Sequence, residues 1–206
     1  MTHPRPSTKV LIVALFLISV GLSFGQTTKF PEKNPRISFT LPSGWVLTKQ
    51  DSGEFDCVPR NVLDKLSPEA AENGDYSLKL EINLLPILGG LDADGLISAL
   101  SQPGEPARYS DVELSVPDTD AVNTRHGLKI LTLAGTSVRL SDQESLNRWY
   151  WLLLPQANQG KLNNPEDFFR AGQGPIVLIH LLDTSEADKQ YTDDLDLLYD
   201  SLKALK

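Results

Sequence analysis

A single cysteine in 206 residues excludes a disulfide scaffold and every cysteine-rich zinc or iron–sulfur site. Three histidines leave little for a histidine-built metal centre. Basic residues are in deficit: 19 Lys and Arg against 27 Asp and Glu give a net charge of −8, a poor match for nucleic acid or anionic lipid. There is no G-x-S-x-G nucleophile turn. Leu88-Gly89-Gly90 lacks the G-K-[ST] ending of a phosphate loop. No internal repeat or low-complexity block occurs, and beyond the N-terminus no apolar run approaches membrane-spanning length.

The N-terminus has a targeting pattern. Arg5 and Lys9 precede an apolar run from Val10 to Leu22, and Ser23-Phe24-Gly25 supplies small residues at positions −3 and −1 of a cleavage site. This is the order of a secretory signal peptide. As a helix the run rises about 20 Å, short of the hydrocarbon core of roughly 30 Å, so cleavage is expected over retention as an anchor. Removing 1–25 takes away two basic and no acidic residues, leaving 17 against 27 and a net charge of −10. The expectation is a secreted or periplasmic protein with a signal peptide at 1–25, an extended lead-in at 26–36 and one domain at 37–206. It carries no cofactor and does not insert in a membrane once the signal is gone.

The domain reads as strands punctuated by short helices. Ile37 to Leu41 alternates, Pro42-Ser43-Gly44 turns, and Trp45 to Thr48 begins another strand. Ser67-Pro68-Glu69 is a helix start, with Ser as cap and Pro at the first position. Tyr76, Leu78, Leu80, Ile82 and Leu84 alternate with polar residues, predicting a strand with one wet face, near a margin or open side of the sheet. Residues 92–100 read as a short helix, and 112–116 has room for a strand. The arms 127–140 and 146–154, joined by a polar turn, predict an antiparallel hairpin. The second arm and 176–182 are apolar on both faces and need cover above and below. Tyr191, Leu195, Leu198, Leu202 and Leu205 form one stripe, predicting a helix to the C-terminus. The sum is an α+β fold, an α/β/α sandwich around a mostly antiparallel sheet.

Ile37-Ser38-Phe39-Thr40-Leu41-Pro42-Ser43-Gly44-Trp45, a strand followed by Pro, small residues and Trp, resembles the opening of the Mog1/PsbP-like superfamily. The ending is similar as well: an apolar strand, an acidic link and a helix closing with Leu198-Tyr199-Asp200-Ser201-Leu202-Lys203. The resemblance runs in element order over 37–205. It implies an α/β/α sandwich and a non-enzymatic binding or assembly role. The metal-linked functions of PsbP-type members do not carry over, because no matching histidine constellation is present. The lipidated cysteine of lipoprotein members is absent too.

His126 and His180 are the available bases, and His180-Leu181-Leu182-Asp183-Thr184-Ser185 holds histidine, carboxylate and hydroxyl in one stretch. Neighbours on one strand cannot make a triad alone, so a core or hydrogen-bonded His180 is favoured over an exported hydrolase. Cys57 follows Asp56 and reads as a buried small hydrophobe. Asp92-Ala93-Asp94-Gly95 starts like a calcium loop but continues as a helix, which favours capping. The seven acids over 183–200 read as a solvated helix face. Trp149 and Trp151 share a face and could stack a sugar, yet their strand looks covered, which favours core packing. The connection 156–174 is longer than a turn requires, with Asn164-Pro165-Glu166-Asp167 as a helix start. Its Phe168, Phe169 and Arg170 either seal the loop onto the domain or meet a partner, a protein or small ligand of unassigned identity. They are the expected recognition residues.

Overall fold

Alternation at Leu78–Leu85 places Leu78, Leu80 and Ile82 on one side of a strand and Lys79, Glu81 and Asn83 on the other. Around that strand the computed structural model describes residues 25–51, 54–85, 93–102, 107–116, 122–155 and 176–205. In chain order these are β1 (Gln26–Phe30), β2 (Ile37–Leu41), β3 (Trp45–Asp51), β4 (Glu54–Pro59), α1 (Arg60–Leu63), α2 (Pro68–Asn73), β5 (Leu78–Leu85), α3 (Ala93–Leu100), β6 (Tyr109–Ser115), β7 (Val122–Arg125), β8 (Leu128–Arg139), β9 (Ser145–Pro155), β10 (Ile176–Asp183), α4 (Ser185–Ser201) and β11 (Lys203–Ala204).

The main sheet runs β3-β4-β5-β10-β9-β8-β6, with β7 also paired to β8, and every pairing is antiparallel. A smaller sheet, β1-β2-β11, is antiparallel as well. The hairpin expected from 127–140 and 146–154 is β8–β9, registered from Leu128↔Pro155 to Val138↔Ser145. Two cores follow from two-sided burial. One face packs Leu78, Leu80, Ile82, Val177, Ile179 and Leu181 against α4 and the small sheet. There Phe39 and Phe30 meet Phe55 of β4 edge-on at 6.0 and 6.4 Å. The other face packs Leu131, Leu133, Leu152 and Leu178 against Leu96, Ile97 and Leu100 of α3. This is the expected α+β arrangement, one domain with helices on both sides of an open antiparallel sheet.

Local signals explain several ends. Ser67 Oγ accepts from the Ala70 N–H at 3.1 Å, and Thr184 caps α4 in the same way through Ala187. His126 and Gly127 both have positive φ in the two-residue turn joining β7 to β8, the geometry that matches strand twist. Gly135 is needed where β6 is bulged across β8: a Cβ there would lie 1.8 Å from the Glu113 carbonyl oxygen.

One expectation fails. The helix does not run to the C-terminus. It ends at Ser201, Leu202 turns to an extended backbone, and Lys203–Ala204 pair with β2, so pairing a strand edge wins over extending the stripe. Lys203 therefore lies past the helix end. Of the two places expected for the strand at Leu78–Leu85, it takes an open side rather than a margin: it lies between β4 and β10, and its polar face, Lys79, Glu81 and Asn83, is half-buried with Lys79 and Glu81 paired.

Candidate functional site

Cross-strand register builds a polar row on the α3 side of the sheet. Asp56, Glu81, His180 and Tyr150 are successive register partners on β4, β5, β10 and β9. Beside them lies a second row of Lys79, Leu182 and Arg148. The side chains connect. Lys79 Nζ donates to Glu81 Oε1 at 2.6 Å and pairs with Asp56 Oδ2 at 2.9 Å. His180 Nδ1 lies 3.0 Å from Glu81 Oε2, and its ring stacks on Tyr150 with centroids 4.3 Å apart. Arg148 donates from Nε to Ser137 Oγ at 2.7 Å and from Nη1 to Tyr150 Oη at 3.0 Å, and its guanidinium covers the Tyr109 ring at 4.3 Å.

Burial and pairing set the protonation states. Burial pushes the His180 imidazole below its ordinary value, which keeps it neutral at pH 7. Burial pushes the Glu81 carboxyl up, but the His180 hydrogen bond and the Lys79 ammonium outweigh it, and Glu81 lies well below the usual carboxylate range. Lys79 is raised: its two carboxylate partners overcome its own desolvation. A neutral His180 therefore donates Nδ1–H to Glu81 and presents Nε2 as an acceptor. Nε2, Arg148 Nη2 and Asp56 Oδ1 are buried without a hydrogen-bond partner among the described residues.

The expectation of a hydrogen-bonded, buried His180 is met: it is 9% exposed. His126 is exposed in its turn, well apart in register from the polar row. Cys57 is fully buried, and desolvation with the adjacent Asp56 pushes its thiol far up, so it is no nucleophile. Among the described residues no group of three or more His, Cys, Asp or Glu is placed to hold a metal ion. Asp94 is exposed in the first turn of α3, and Asp92 lies outside the described residues. Phe168, Phe169 and Arg170, together with the rest of 156–175, also lie outside them.

The acids of 183–200 are not simply a solvated face. Asp183 is fully buried with Oδ1 on Asn147 Nδ2 at 2.7 Å, Asp194 accepts from Trp45 Nε1 at 2.8 Å, and Asp200 pairs with Arg125. The tryptophans also depart from expectation. Trp151 is in the core at 8% exposure, but Trp149 is 38% exposed. A helix about 10–12 Å across covers only two or three strands spaced about 4.8 Å apart. On this face Leu128, Ile130 and Leu153 of β8 and β9 are fully buried, and cover is missing only toward Thr132 and Trp149. What remains is a cleft of about 320 Å³ walled by Trp149, Trp151 and Tyr199, with Leu181 and Leu195 at its base and Asp188 and Asp196 from α4 beside them. Sequence reasoning saw the Trp149–Trp151 pair but not the gap, because strand patterning does not show how far a helix reaches across a sheet.

No protein-family model matches the chain, and no curated protein matches it. Solved structures do. LpqN of Mycobacterium tuberculosis, described as involved in cell envelope biogenesis, is similar over 88% of this chain and 91% of that one, with a TM-score of 0.50 and 14% identity. A protein from Bacteroides thetaiotaomicron is similar over 82% of this chain and 45% of that one, with a TM-score of 0.40 and 11% identity. At 14% identity the likeness to LpqN is one of fold alone.

Proposed function

We propose that the protein is an exported accessory protein of the cell envelope that works by binding rather than by catalysis, as a member of the Mog1/PsbP-like superfamily. Its leader, residues 1–25, is removed on export, and the mature chain acts in the periplasm or outside the cell. The observation that carries the reading is the division between the two sheet faces. His180 is buried in a packed polar row and held there by the half-buried Glu81, while the open cleft on the other face is aromatic, with the carboxylates of Asp188 and Asp196 beside it and no histidine. The involvement of LpqN in cell envelope biogenesis supports the envelope setting. The 156–174 connection supplies a second contact through Phe168, Phe169 and Arg170, residue types that dominate binding hot spots.

Affinity capture with the mature protein from its own exported fraction tests this, run beside a variant in which 156–173 is cut to a tight turn. The intact protein should retain a partner and the trimmed one should fold and lose it, since loop length affects closure entropy weakly. Unfolding of the trimmed chain would place the aromatic pair in the core. Retention of the same partner by a folded, trimmed chain would move recognition off the loop.

One observation favours a second reading, an exported hydrolase. Glu81 orients His180 through Nδ1 and leaves Nε2 as an acceptor, which is how a general base is held by its acid. Among the described residues no Ser, Thr or Cys is hydrogen-bonded to that nitrogen. Turnover of activated esters that disappears in His180→Gln would favour this reading over binding.

A further inference from the structure

We infer that the cleft between α4 and the β8–β9 surface is a binding site for a small organic cation, an alkylammonium or quaternary ammonium group. The inference names the ligand class of the open cleft and so rests on the binding reading. Three aromatic side chains, Trp149, Trp151 and Tyr199, line one cavity of about 320 Å³, with Trp149 the more exposed of the two tryptophans there. A ring face carries negative potential and attracts a cation, most strongly for tryptophan. Two carboxylates, Asp188 and Asp196, stand at the same cavity, and neither forms an ion pair among the described residues.

An adjoining contact already uses this chemistry. The Arg125 guanidinium lies 5.1 Å from the Tyr199 ring centre and pairs with Asp200, a cation between a ring and a carboxylate of α4. The tilted ring of Trp151 lies 4.9 Å from that of Tyr199, so the aromatic wall is continuous into the cleft. One helical turn on from the Arg125 site, the cleft repeats the ring-and-carboxylate pattern with no side chain of the described residues filling it.

Charge decides among ligand classes. An anion would meet two unpaired carboxylates on a chain that is already −8. A neutral ligand would desolvate them with no return of charge. A metal ion would need more oxygen ligands than the apolar base, Leu181 and Leu195, leaves room for. An alkylammonium group satisfies both halves: its methyl or methylene groups pack on the rings and its charge faces the carboxylates. The same chemistry is found in a free small amine, a choline headgroup and a lysine side chain.

Titration of the mature protein with choline, followed by indole fluorescence and calorimetry, tests the assignment. The neutral isostere 3,3-dimethylbutan-1-ol, methyl glucoside and Nα-acetyl-lysinamide are run in parallel. Choline or the lysine derivative should bind saturably, about tenfold or more tighter than the neutral isostere, and weaken with salt. The tighter of the two cations identifies a free ammonium or a protein side chain as the source. Asp188→Asn with Asp196→Asn, the first half-buried in the opening turn of α4 and the second exposed, should still unfold cooperatively, with at most a small drop in Tm from the lost charge at the helix start, and erase the preference for the cation. Trp149→Ala should weaken both cations. Equal binding of the isostere or the glucoside, no saturable binding of either cation, or an unchanged preference in the double Asp variant overturns the inference. Partner capture that persists alongside such a failure leaves the binding reading standing and shows that only the ligand class was wrong.

Discussion

Replacing His180 by glutamine should cost stability by an amount the structure fixes. The side chain is 9% exposed, donates Nδ1–H to Glu81 across 3.0 Å, and stacks within 5° of parallel on Tyr150. A glutamine amide reaches the place of Nε2 rather than Nδ1, so Glu81 keeps Lys79 and loses its second donor. A hydrogen bond to a charged group is worth about 1.5–3 kcal/mol and a ring stack about 0.5–1.5 kcal/mol. Glu81 is one-third exposed, so water recovers part of the first, and about 2–3 kcal/mol remains. For a domain of this size that is a fall in Tm of about 5–10 °C, read by circular dichroism. The pH dependence has a definite sign. Burial lowers the folded His180 value, so the unfolded chain takes up the proton first as pH falls. The stability owed to neutral His180 is present above its ordinary value, about 6.5, and declines below it. The gap between parent and His180→Gln should therefore be widest at neutral pH and shrink in mild acid. His180→Asn, whose amide nitrogen takes the place of Nδ1, should recover part of the loss. Equal melting of parent and glutamine variant, or a gap that widens in acid, would refute the reasoning; the latter would mean that an imidazolium–carboxylate pair is the folded form.

Asp183 should give the opposite trend: burial raises its carboxyl from 3.8 to about 6, so the folded state holds the proton longer and stability falls as pH rises across that interval. The loss is at most about 3 kcal/mol, because the N-terminus of α4 favours the charge, and Asp183→Asn should flatten this limb of a urea-midpoint profile. Trp45→Phe removes the Nε1–H donated to Asp194 at 2.8 Å but keeps the edge contact with Tyr191, and should lower stability by about 1–2 kcal/mol in denaturant titration. Intact mass of the exported protein should lack residues 1–25, whereas a membrane-retained species beginning at Met1 would show that the segment stays as an anchor.

What was legible in the sequence was local. Period-two alternation located β5, the polar turn at 141–145 located the β8–β9 hairpin, and Ser67-Pro68 located the start of α2. Beta4 was missed although Phe55 and Cys57 point inward, because Asp56 between them looks like loop chemistry until Lys79 of the neighbouring strand is known to pair with it. The C-terminal stripe misled because Leu202 is buried whether the chain continues as helix or turns to pair with β2. The site depended on contacts that sequence spacing does not contain. Glu81 and His180 are 99 residues apart, and the opening beside Trp149 depends on where α4 crosses the sheet.

The two faces of the main sheet also divide the physical work. On the α3 side, the partners Asp56, Glu81 and His180 alternate along their strands with Phe55, Cys57, Leu80, Ile179 and Leu181, which fill the opposite core. Side chains repeat every two residues, so a one-residue slip of β5 would carry Lys79 and Glu81 into the leucine layer beneath α4 and bring Leu80 to face Asp56. Unpaired charges there would cost several kcal/mol, far more than the paired row gains in place. The row therefore contributes more to choosing one register than to net stability, and each of its charged groups is committed to a neighbour. The carboxylates of the cleft are different: Asp188 and Asp196 hold no strand in place and pair with no cation of the described residues. Carboxylates that pair with no cation of the described residues, set beside an exposed tryptophan, distinguish the proposed binding cleft from the polar groups that hold the sheet together.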